Sequence, residues 1–198
     1  MSGGIVAGRI YKFKYRARNI FDWGEFSEQG NVLAASEPVK IDPVVITLVG
    51  TDVKIAWVPN DENGSPVEEY RINIQTSDPA VYETELTFCD GSESTIFSNN
   101  YCLIPMEVFS NPVFPFQLSQ GDLIVAKVEA KNQIGWSNLS NANSDGQRVE
   151  IKPPATPADL IVNLDETDET QITVIMTELT TAEEVGGSPI VSYSLEWD

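Results

Sequence analysis

Three groups of residues in this 198-residue chain are of types that do chemistry. The first is the run "YKFKYRARNIFDWGEFS" from Tyr11 to Ser27, where Lys12, Lys14, Arg16 and Arg18 alternate with aromatic rings. Bases interleaved with rings are what a surface needs to follow a nucleic-acid backbone and stack on its bases. The second is the pair Cys89 and Cys102, open to three readings: a disulfide, two free thiols, or a redox or metal pair. The third is the carboxylate clusters "NDENG" (60–64) and "LDETDET" (164–170), whose oxygens resemble parts of calcium loops.

The alternation in the first group argues against nucleic acid. Successive side chains in a strand point to opposite faces. Tyr11, Phe13, Tyr15 and Ala17 then share an interior face, while Lys12, Lys14, Arg16 and Arg18 face water. A base-stacking surface would need rings and charges on one side. Thirty acidic against 12 basic residues, a net charge of −18, also repel phosphate. The expectation is a half-buried strand in a chain that binds no nucleic acid.

The cysteines lack the further soft ligands a metal site needs and the two-residue spacing of redox pairs. A disulfide stapling a long loop is the expectation, and it implies an oxidising compartment, extracellular or lumenal. The acidic clusters lack a distant bidentate Glu in register, so they read as solvated loops without metal or cofactor. With no histidine in the chain, Ser-His-Asp and Cys-His catalysis and histidine-assisted zinc sites are excluded. A pair of carboxylates would suffice for glycoside hydrolysis, but nothing marks one pair above the rest, and no enzyme is expected. No apolar run reaches the roughly 18 residues that span a bilayer, so no membrane insertion is expected of this fragment. The start "MSGGIVAG" lacks the charged and apolar regions of a signal peptide.

Hydrophobic content of 41% suffices for packed cores. The elements that must position these groups read as strands. "VVITLVG" and "DVKIAWV" are short β-rich runs. "VEEYRINIQT" alternates with one slip of register, and "DLIVAKVEAKN" is a longer strand followed by the turn and edge "GWSNLS". "NDENGSP" and "NSDG" have turn chemistry. No helix is expected beyond a single turn in "PMEVFSNP".

The chain also repeats itself. Residues 8–27 align without gaps on 121–140, matching Gly8 to Gly121, Lys14 to Lys127, Ala17 to Ala130, Asn19 to Asn132, Trp23 to Trp136 and Ser27 to Ser140. "NGSPVEEYRINIQ" from Asn63 likewise resembles "GGSPIVSYSLEWD" from Gly186. Proline-bearing joins, "AASEPVKIDP" and "IKPPATPADL", fall between the copies. The expected organisation is the rear portion of one unit at 1–36, a whole unit at 37–151 and the front portion of a third at 152–198. The front portion should supply the first three strands of a unit and the rear portion its last pair.

At this point the residues resemble the fibronectin type III family. Gly8, Tyr11, Phe13, Tyr15, Ala17, Asn19, Gly24 and Ser27 look like that family's last two strands. Gly121, Ala126, Val128, Ala130, Asn132, Gly135 and Ser140 fill the same roles in the whole unit. Trp57 in "KIAW" resembles the core tryptophan, and "GSPVEEYRI" the entry to the third strand. The resemblance implies an all-β, fibronectin type III-like (immunoglobulin-like) sandwich, one complete domain flanked by two partial ones, and it extends to tandem repeats of large ciliate surface proteins. Two departures stand out. Ile124 replaces the tyrosine of the tyrosine corner, and Met176 stands where a core tryptophan is expected, implying a core packed by Met.

Asn63 and Asn138 head the triplets Asn63-Gly-Ser65 and Asn138-Leu-Ser140 and are candidate N-glycosylation sites. Residues 1–38 carry net charge +1, whereas 152–198 carry −9. Two readings are open. One is a head-to-tail pairing that sets Lys12, Lys14, Arg16 and Arg18 of one copy against Glu183, Glu184 and Glu196 of another and would build a filament if it does not close. The other is partial end units that are pieces of a longer chain. The expected function is a non-enzymatic structural or adhesive module of a secreted or surface tandem-repeat protein. Its expected partners are other copies or adjacent repeats, or a protein or glycan ligand. The alternatives are a ligand-binding receptor ectodomain and an accessory domain of an extracellular enzyme. An exposed apolar patch on the loops at 60–65 or 107–116 would favour the receptor reading.

Overall fold

A computed structural model describes residues 4–181, 184–186 and 189–197. Two strands come first, β1 (Ile10–Phe13) and β2 (Gly30–Leu33), paired antiparallel as a separate hairpin. β3 (Val45–Val49) and β4 (Asp52–Ala56) follow, joined by a tight turn with Gly50 at φ 63°. β5 (Val67–Gln75) and β6 (Tyr82–Thr84) make the next antiparallel pair. A short helix, α1 (Ser94–Asn99), leads into β7 (Tyr101–Pro105), and a one-turn helix, α2 (Met106–Ser110), follows it. β8 (Ala126–Asn132) lies antiparallel to β5. The two-residue strands β9 (Ile161–Val162) and β10 (Val174–Ile175) pair near the end.

The central strands form two three-stranded antiparallel sheets, β3-β4-β7 and β6-β5-β8. Period-2 alternation places Ile46, Val53, Ile55 and Ile104 of one sheet and Tyr70, Ile72, Ile74, Ala126 and Val128 of the other in the interior. Their apolar faces close on each other, as a sandwich requires. Trp57 is buried and its ring meets that of Tyr70 at 5.3 Å. The fold is thus all-β with antiparallel sheets, and the slip expected in 67–75 is present as a register shift between Val67 and Glu69. Every member of the contiguous core cluster lies between Ile41 and Val149, and Val185 is buried apart from it.

Four expectations need correction. Phe13 and Tyr15 are 59% and 78% exposed, and Tyr11 is only half-buried. β1 pairs with β2 alone, so among the described residues no second sheet covers its rings. The three strands expected of the last segment are reduced to the two-residue β9 and β10, and residues 189–197 form no strand. Met176 is 47% exposed and packs no core. α1 is a helix where no helix was expected. Glu93 caps it, accepting hydrogen bonds from the Thr95 and Ile96 amides at 2.8 and 3.1 Å. These bonds hold the Glu93 carboxyl below its ordinary range.

Candidate functional site

Cys89 and Cys102 are joined in a disulfide, with Cα atoms 5.1 Å apart. Both are buried. Cys102 sits on β7, opposite Ile55 of β4. The bridge therefore ties the segment that carries α1 to the inner face of the sandwich.

The basic–aromatic run repeats the turn hydrogen bonds of its partner copy. Asn19 Oδ1 accepts from the Phe21 and Asp22 amides at 2.9 and 3.1 Å. Asn132 Oδ1 accepts from those of Ile134 and Gly135 at 2.9 and 3.2 Å. Ser27 Oγ accepts from the Tyr15 amide at 3.1 Å, and Ser140 Oγ from that of Val128 at 3.0 Å. Isolated bridges join Arg18 to Trp23 and Lys131 to Trp136. Gly8 and Gly121, which open the two copies, both have positive φ, 77° and 88°. The turn residues Asn19 and Asn132, and Ser27 and Ser140, are therefore structural equivalents.

Lys12, Lys14, Arg16 and Arg18 are all exposed, as expected. Arg16 does not stand alone in water. Its guanidinium lies 4.6 Å from the ring centroids of both Trp23 and Phe26, and that of Arg18 lies 5.8 Å from Trp23. In the second copy Trp136 plays the same role from a different direction. Arg71 on β5 covers its ring at 4.0 Å and pairs with Glu129 at 3.2 Å, while Lys131 lies 5.3 Å from the ring. The sequence could have suggested Trp136 through its match to Trp23. Arg71 becomes visible only once β5 and β8 are paired.

At the other end, Glu184 is half-buried and accepts from the Thr180 and Thr181 amides at 3.1 and 2.9 Å. Its carboxyl is held below its ordinary range, chiefly by the Thr181 amide. Glu196 is exposed, and Glu183 lies outside the described residues. A groove of about 690 Å³ opens here, lined in part by Leu160, Ile172, Val174, Leu195 and Trp197.

The two glycosylation candidates differ. Asn138 is exposed. Asn63 is half-buried, and its Nδ2 donates to the Glu37 carbonyl at 2.7 Å. Ser65 and Ser140, the hydroxyl residues of the triplets, are both buried. Within 107–116 Val108, Phe109 and Phe116 turn into the core, while Pro112, Val113 and Pro115 are exposed beside the half-buried Phe114, an apolar stretch at the surface; 60–65 presents no apolar side chain. Among the described residues, no group of three or more His, Cys, Asp or Glu is arranged to hold a metal ion, and no helix is long and apolar enough to cross a membrane.

No protein-family model matches the sequence, and no curated protein matches it. Solved structures resemble it at low identity. Domains A168–A170 of titin align with 73% of this chain at 15% identity and a TM-score of 0.44, and the chain spans 42% of that fragment's length. The sixth fibronectin type III domain of human fibronectin type III domain containing protein 3 aligns with 62% of this chain and 96% of its own, at 17% identity and a TM-score of 0.43. The twitchin kinase region from C. elegans aligns with 55% of this chain and 16% of its own, at 18% identity and a TM-score of 0.38.

Proposed function

We propose that this chain is a stretch of a tandem array of fibronectin type III-like units in a secreted or surface protein, and that its work is structural or adhesive rather than catalytic. The observation that carries the reading is the match of residues 8–27 to 121–140, with the Asn19/Asn132 and Ser27/Ser140 hydrogen bonds repeated. A unit used more than once in one chain is the mark of an array. The buried Cys89–Cys102 disulfide supports an oxidising compartment. Fusing the chain to a secretion signal in cultured eukaryotic cells tests this. The expected product is secreted, has no alkylatable thiol before reduction, and carries one glycan that Asn138→Gln removes and Asn63→Gln does not. Retention in the cell, or secretion with two free thiols, sinks the reading.

A second reading, head-to-tail pairing of copies, is favoured by one further observation. Basic residues Lys12 and Lys14 border the bare rings of Phe13 and Tyr15 at one end. Glu196 borders the bare Trp197, which is 87% exposed, at the other. Opposite charge beside uncovered apolar surface is what heterologous contacts use.

A further inference from the structure

The prolines of the two joins sit inside a contact the chain makes twice. In the first, the Ser36 amide donates to the Asn63 carbonyl at 3.1 Å and the Val39 amide to the Asp61 carbonyl at 2.8 Å. In the second, the Lys152 amide donates to the Gly186 carbonyl at 2.7 Å and the Ala155 amide to the Glu184 carbonyl at 2.8 Å. The register is the same both times: the donor advances three residues along the join while the acceptor retreats two along the loop. Asn63 and Gly186 also occupy matching places two residues ahead of a Ser-Pro pair. Both have left-handed backbone, with φ of 52° and 70°, a region that Asn and Gly enter most easily.

Between the two donors lie Glu37-Pro38 in the first join and Pro153-Pro154 in the second. Proline has no N–H to leave unpaired and holds φ near −65°, so each arm is stiff where it offers no donor. The loop and the join meet backbone to backbone. A Cβ on Gly64 would strike the Gly8 amide nitrogen and lie 2.8 Å from the Ala34 oxygen. A Cβ on Gly186 would strike the Lys152 carbonyl. The first contact has two further ties, from Asn132 Nδ2 to the Ser36 carbonyl at 2.8 Å and from Asn63 Nδ2 to the Glu37 carbonyl at 2.7 Å.

We propose that the turn ahead of each Ser-Pro is a docking surface whose occupant is the proline-bearing join that opens the same unit, and that at the first joint this seat, with Gly64 packed against Gly8 and Ala34, fixes the angle between the β1–β2 hairpin and the central sandwich. The first joint is then a rigid elbow rather than a flexible string. This goes beyond the assignment of a structural role and holds whatever the array adheres to.

Amide hydrogen exchange on the whole chain tests it. The Ser36, Val39, Lys152 and Ala155 amides should be protected. Gly64→Ala should raise exchange at Ser36 and Val39 by at least about tenfold, with core amides such as Ile72 and Val128 unchanged. Gly121→Ala is the control, because Gly121 has a similar φ of 88° but nothing within 4 Å of a Cβ. It carries the backbone strain without the clash, so it should leave Ser36 and Val39 protected. Gly186→Ala repeats the measurement at Lys152 and Ala155, outside the core, so a failure of Gly64→Ala to fold leaves a decisive arm. Exchange at all four amides as fast as in an unstructured peptide, or equal effects of the Gly64 and Gly121 variants, overturns the proposal.

Discussion

Tyr70 shows how one residue ties the core to pH. Its ring lies 5.3 Å from Trp57 and 5.4 Å from Phe97. Burial, and then the Glu62 carboxylate, push its phenol above its ordinary value. A group whose folded pKa is raised contributes stability that is complete below its unfolded pKa, about 10, and is lost as pH climbs through the higher folded value. Thermal melting followed from pH 8 upward should therefore fall more steeply in the wild type than in Tyr70→Phe, which has no proton to lose. Equal alkaline slopes would place the linkage elsewhere. The clamp on the first join also rests on single residues. Asn132 spends its amide on three carbonyls, of Ser36, Glu62 and Ser65.

Among the elements, those with two-sided reasons to form were the ones legible beforehand. β5 and β8 alternate apolar and polar residues, and each pairs with the other and faces a second sheet, so period and burial agree. β1 alternates just as strictly, and its strand character was legible. The fate of its rings was not, because burial depends on a facing sheet that the alternation does not encode. α1 has no fully buried residue, and only Ile96 and Phe97 of its six residues lean on the core. Its position depends on the Glu93 cap and on the anchored segment around it, which no helical period announces. The joint was legible only as prolines, since its acceptors are carbonyls and carry no side-chain signature. For the stapled segment, the expected cost of opening the Cys89–Cys102 loop is about 3 kcal/mol in the chain-entropy model. Denaturant melts of the oxidised chain and of a Cys89→Ala/Cys102→Ala variant measure it. A difference near zero would mean that α1 and β7 hold their places without the bridge.

At the scale of the molecule, charge and apolar exposure are distributed unevenly. The first 38 residues are slightly basic and the last 47 strongly acidic, while the uncovered rings and aliphatic side chains concentrate outside the central sandwich. If copies pair head to tail, the mass found by light scattering should rise with protein concentration. The rise should shrink in high salt, which screens charges beyond about one Debye length. Lys12→Glu/Lys14→Glu should abolish it. A constant monomer mass at high concentration would end that reading and leave the array reading untouched.

Confining the core to residues 41–149 has a consequence for calorimetry. Cooperative melting needs side chains that lose their contacts together, and of the described residues on either side only Ile151 packs against that interior. Heat will loosen them before it dissolves the sandwich, so a melting curve read at Trp197 will precede one read at Trp57. A single free energy of unfolding assigned to all 198 residues would describe the middle and misstate the rest.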